Sequence, residues 1–320
     1  MKTRILLALC LVLTPFGLVL AQSGDDYVAP RTEWGQPDLQ GVWNFNSSTP
    51  FERPEQYGNR EFLTPEEIEE SRVRRAEFAA RADAAEAELV TDPQAPPAGA
   101  STGGYNNFWY EQASISENTR TSRIIYPTDG QMPATVEGVA VHTANLGPDV
   151  EGDRPVLATF GGIGKDGPED RGLSERCLIG FNAGPPLTGG GYNANLQIFQ
   201  NKDHAVIMTE MVHDARIVPL VERPPLDGNI RQWSGDSRGY YDGDTLVVET
   251  RNFTKYTPSY SRYGDAYDKT LTEKFTRIGP YTVQYEWTLD DPSTFSDKIT
   301  ATQPMTKVAG QLYEYGCHEG

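Results

Sequence analysis

Residues 194–220, ANLQIFQNKDHAVIMTEMVHDARIVPL, and residues 231–250, RQWSGDSRGYYDGDTLVVET, decide the fold. Both stretches carry β-branched and aromatic residues at alternating positions, the period of a strand. From Gly191 onward the same pattern continues almost without interruption. Candidate strands fall at 195–200, 204–212, 214–219, 237–242, 244–251, 271–278, 281–289, 298–306 and 311–316. Asp242-Gly243 is a two-residue hairpin signal, and Gly279-Pro280 is a second tight turn. Eight or nine consecutive antiparallel strands joined by short turns predict an up-and-down, calycin-like barrel over residues 191–320, with a β-sandwich as the alternative. A barrel of about eight strands has room inside for packed side chains or one small ligand.

Charged residues lie inside these otherwise apolar runs. In HAVIMTEMV (204–212), Val206, Met208 and Val212 oppose Ala205, Ile207 and Met211, so the strand is predicted to be covered on both faces, with Glu210 beside Met208. If the strand runs straight on, Glu210, Asp214 and Arg216 share a face and His213 points the other way. One bulge near His213 reverses the later assignments. A buried carboxylate needs a partner, and Arg216 and Arg238 are the candidates. Two readings stay open: an ion network that fixes the sheet, or a desolvated carboxylate next to an imidazole, arranged for proton transfer. Trp233, Asp236, Arg238 and Tyr240 are the aromatic and charged groups expected at a barrel mouth, with Met208 and Glu249 as further ligand contacts. In YTVQYEWTL, Tyr281, Val283, Tyr285, Trp287 and Leu289 form the predicted buried face.

Upstream, residues 22–190 read as an irregular wrap containing one helix. Trp34, Trp43 and Phe45 stand among glycines and prolines in a segment expected to pack on the body. Thr64 as N-cap, Pro65 at the first helical position and Glu67 three residues after the cap predict a helix over 65–89. Its apolar stripe is thin, which argues for a surface helix and against membrane binding. Short strand candidates follow at VEGVAVHT (136–143) and RPVLATF (154–160). GGIGKDG (161–167) lacks the hydroxyl residue of a phosphate cradle, and no helix pattern follows it.

The segment 1–21 reads as a secretory signal: Lys2 and Arg4, an apolar run from Ile5 to Leu20, then a small residue at Ala21. That run is shorter than the ~20 residues a spanning helix needs. The mature chain, 22–320, is predicted to be one exported domain, periplasmic or extracellular. Its formal charge of −17 falls to about −19 once Lys2 and Arg4 leave, which disfavours nucleic acid and anionic membrane surfaces as partners. Cys177 and Cys317 remain as an even pair in an oxidising compartment, and a bridge between them is expected. The four histidines, His142, His204, His213 and His318, show no metal-ligand spacing. No metal or cofactor is therefore implied, and no GxSxG elbow points to a serine hydrolase.

Six stretches, RTEWGQPDLQGVW, YNNFW, RTSRIIYPTDG, EMVHDARIVPL, GDSRGYYDGDTLVVETRNFT and YEYGCHEG, make the chain resemble a family of exported bacterial proteins of unassigned activity. The resemblance covers the mature chain, implies one exported domain and a continuation beyond Gly320, and transfers no catalytic role. The leading functional reading is a barrel protein holding a small, partly apolar molecule against a Glu/His/Arg network. The alternatives are a cofactor-independent lyase, isomerase or hydrolase with Glu210 or His213 as base, and a glycan-binding or glycan-cleaving protein using Glu249 and Glu286 on neighbouring strands.

Overall fold

The computed structural model describes residues 27–91, 119–142 and 171–317. The signal, YNNFWY, RPVLATF, GGIGKDG and His318 lie outside them. The predicted β architecture is present: ten antiparallel strands form a nearly closed, barrel-shaped sheet. In chain order they are β1 (Gly41–Asn44), β2 (Ile124–Tyr126), β3 (Asn195–Gln200), β4 (His204–Thr209), β5 (Ala215–Pro219), β6 (Asp236–Asp242), β7 (Thr245–Arg251), β8 (Thr270–Gly279), β9 (Thr282–Asp290) and β10 (Ile299–Lys307). Around the sheet the order is β5-β4-β3-β1-β10-β9-β8-β7-β6, with β2 also on β10.

Two meanders, β3–β5 and β6–β10, thus make up the wall, and β1 fills the gap between β3 and β10. Val42 sits opposite Gln197, and Trp43 opposite both Leu196 and Lys307. The N-terminal segment, expected to wrap a barrel confined to 191–320, supplies one of the staves instead. Trp43 and Phe45 are fully buried, and the Trp43 indole N–H donates to Leu39 O at 2.8 Å. Gln200, pointing inward from β3, accepts from Leu39 N and donates to Pro37 O, which fastens this segment from inside. Replacing a buried Trp or Phe by Ala typically costs about 3–5 kcal/mol, so this short strand is anchored by its aromatics more than by its ladder.

Alternation decides what faces the lumen. Leu196 and Ile198, Ala205 and Ile207, Leu246 and Val248, Leu271 and Phe275, and Ile299, Ala301 and Met305 all point in and are buried. The predicted inner face of β9 holds for Val283, Tyr285, Trp287 and Leu289. Tyr281 does not join them: it is 72 % exposed in the two-residue loop Pro280–Tyr281, because Gly279 pairs with Thr282. The β6–β7 loop is likewise one residue later than read, Gly243–Asp244, with Gly243 at φ 59° as mirror-image hairpin turns favour. Residues 311–316 form no strand, and residues 136–142 make a single isolated bridge, Val141 with Tyr263.

The seam lies between β5 and β6, the two ends of the hydrogen-bonded path. Side chains close it: a Cβ on Gly239 of β6 would stand 2.7 Å from Val218 and 3.0 Å from Leu220, so glycine is what admits those residues. Outside the barrel, α1 (Pro65–Thr91) carries the predicted capping box, with Glu67 N donating to Thr64 Oγ1 and Thr64 N to Glu67 Oε2 at 3.3 and 2.8 Å. Cys177 and Cys317 are bridged. Among the described residues no helix is long and apolar enough to cross a membrane.

Candidate functional site

The segment Glu210–Asp214 determines where the predicted site residues go. β4 stops at Thr209, and a short 3-10 turn over Met211–His213 follows, with Val212 and His213 both at positive φ. This irregularity, in place of a straight strand, resets the alternation. Arg216 enters the lumen opposite Ile207, while Glu210 stays at the turn. Glu210 is buried and accepts from Asn195 Nδ2 at 2.8 Å, and among the described residues no arginine pairs with it. His213 is exposed, and Asp214 accepts from Ser234 Oγ at 2.7 Å.

Arg216 instead grips Glu273 of β8 through two contacts of 2.5 and 3.0 Å. Tyr285 donates to the same carboxylate at 2.7 Å, and Leu187 N donates to Tyr285 Oη at 3.1 Å. Glu273 is wholly shielded from solvent, between Val248 and Trp287 on the flanking strands. Burial alone would lower the Arg216 pKa, but the Glu273 carboxylate overrides it and the net direction is up. Burial, then Glu273, raises Tyr285 well above its usual value. The loop Gly184–Leu187 lies over this group, and the arrangement is a bidentate, hydrogen-bonded brace.

The remaining candidates do not join that brace. Arg238 pairs with Asp236 of its own strand at 2.5 Å and reaches Pro224 O. Asp236 also accepts from Leu226 N. Tyr240 and Glu249 are exposed, and Met208 is half-buried. Glu249 and Glu286 are not on neighbouring strands, since β8 runs between them and Glu286 pairs with Lys274. Among the described residues, no three His, Cys, Asp or Glu side chains come together at metal-binding distance.

A cleft of about 540 Å³ forms where the β7–β8 loop, the β9–β10 loop and the 139–142 segment meet at one end of the barrel. The bridge between Val141 and Tyr263 and the bond from Gly264 N to Ala140 O hold one side together. Gly264, at φ 57°, leaves room for Thr294: a Cβ would come within 2.1 Å of the Thr294 hydroxyl. Tyr256 and Tyr267 supply aromatic walls, and Tyr256 leans on Trp233 with ring centroids 6.2 Å apart. Of the sequence candidates, Trp233 is therefore the one that adjoins the cleft.

Behind the floor, buried Asp291 accepts from Ser293 Oγ at 2.6 Å, Thr294 Oγ1 at 2.9 Å and Ser259 Oγ at 2.5 Å. The Ser259 carbonyl in turn accepts from Lys269 Nζ at 3.2 Å. Burial pushes the Lys269 ammonium down to about 7, against the raising influence of Asp291 and Glu273. The strand pattern alone does not single out Lys269 and Glu273, although their signal is present. In DKTLTEKF both share the phase of Leu271 and Phe275, which buries two charges on the inner face. The cleft has a weaker signal, the tyrosine-rich linker YTPSYSRYGDAYDKT between two strands. Comparison with protein families and with curated proteins finds no match to the chain.

Proposed function

We propose that the chain is an exported binding protein that holds a small, partly apolar molecule in the cleft between Tyr256 and Tyr267, with the barrel as its rigid support. One observation carries this reading. Loops from separate parts of the chain converge on a concave, aromatic-walled site whose floor hydroxyls are fixed in orientation by a buried carboxylate. Concave sites that combine apolar walls with placed polar groups are those that take small ligands. The signal-like segment 1–21, the cysteine bridge and the acidic composition support export to the periplasm or beyond. The Arg216–Glu273 pair is the brace that keeps the loop-bearing strands in register.

The acid–base enzyme reading is the weaker on geometry, because Glu210 is occupied by Asn195 and His213 stands apart on an exposed turn. The test is a thermal-shift screen of the mature protein against small metabolites, repeated on Tyr256→Ala. Hits that raise the wild-type melting temperature and fail on Tyr256→Ala support the cleft. Hits that act equally on both proteins remove it.

A further inference from the structure

The cleft's hydrogen-bonding polarity specifies its ligand class, an inference that rests on reading the cleft as the ligand site. Ser293 and Thr294 each spend their single hydroxyl proton on Asp291. Toward the cleft these oxygens present lone pairs alone. Asp265 uses one carboxylate oxygen to accept from Tyr267 N at 2.9 Å and keeps the other, and Asp268 lies exposed on the same wall. The lining is thus dominated by acceptors. Beside two carboxylates it has one lysine, Lys255, whose ammonium stands 5.1 Å from the Tyr256 ring centroid, and one imidazole, His142. A carboxylate or phosphate ligand would meet acceptors facing acceptors. A neutral alcohol would desolvate the aspartates without compensating their charge. An organic cation suits the acceptor side of the cleft, away from Lys255 and His142: its N–H groups meet the oxygens, its charge meets Asp265 and Asp268, and its apolar body lies on tyrosine faces.

We propose that the cleft binds an ammonium group attached to an apolar or aromatic body, an arylalkylamine in chemical class. The protein's net charge of −17 favours encounter with such cations.

A matched trio of probes, phenethylamine, 2-phenylethanol and 3-phenylpropionate, tests this by isothermal titration of the mature protein. The expected result is saturable phenethylamine binding at least tenfold tighter than the alcohol, no measurable carboxylate binding, and weakening with added salt. In Asp268→Asn the amine preference should shrink to about twofold or less. Alcohol or carboxylate binding as tight as the amine, or no amine binding at all, overturns the ammonium assignment. Such binding abolished by Tyr256→Leu would leave the cleft as the site with another ligand class. Binding of all three probes unchanged in Tyr256→Leu would remove the site itself.

Discussion

Lys269 is 2 % exposed, over the Phe253 ring at 4.2 Å, and among the described residues its amine donates to the backbone carbonyls of Pro185 and Ser259 alone, at 3.4 and 3.2 Å. Replacing it by Met keeps length and flexibility while removing the charge. The drop from the ordinary 10.5 to about 7 corresponds to a charging cost on the order of 5 kcal/mol. Between those limits the unfolded chain holds a proton that the folded protein has released. Stability therefore rises with pH in this window, by at most about 1.4 kcal/mol per pH unit, and levels off below about pH 7. From pH 7 to 9.5 the wild type is expected to gain roughly 3 kcal/mol over Lys269→Met. Urea midpoints followed by tryptophan fluorescence at each pH give this difference directly, since other titrating groups are common to both proteins. Parallel pH profiles would show that the amine is solvated or paired more strongly than its surroundings indicate, and the reasoning would fail.

The buried brace and the seam yield two more expectations. Arg216→Met or Glu273→Gln alone should each lose about 3–5 kcal/mol, because the other member stays buried without its counter-charge, while Arg216→Met with Glu273→Leu should recover much of that loss. Additive losses in the double variant, measured by urea unfolding, would refute the charge argument. Gly239→Val places methyls where Val218 and Leu220 close the barrel, with an expected cost of about 1–3 kcal/mol in melting experiments. An unchanged melt would mean the β5–β6 seam is loose.

Strand positions were legible wherever one face is buried and the other wet, as in β9, because the period of two is then written directly in residue type. The α1 cap and the cysteine bridge were readable for equally local or countable reasons. β1 was not, since Gly41–Asn44 is too short to show a period and both its partners, β3 and β10, lie far along the chain. Predicted pairing of Glu210 with Arg216 failed at Val212 and His213, where positive φ values broke the alternation without any glycine to announce it. The cleft escaped because its lining comes from three chain segments, and the docking of 139–142 on the β7–β8 and β9–β10 loops is a tertiary contact that no local pattern announces.

The insertion of Gly41–Asn44 between β3 and β10 has a kinetic consequence. The N-terminus is made first, so β1 waits through most of synthesis, and the ring cannot shut until Lys307 is free to meet Trp43. Until then β1 and β9 each expose an unsatisfied edge, and the loop that must close spans nearly the whole described chain, which makes the step slow. Interrupting synthesis anywhere before β10 leaves an open, adhesive sheet, so a chain built this way depends on whatever shields it until that last stave has been made.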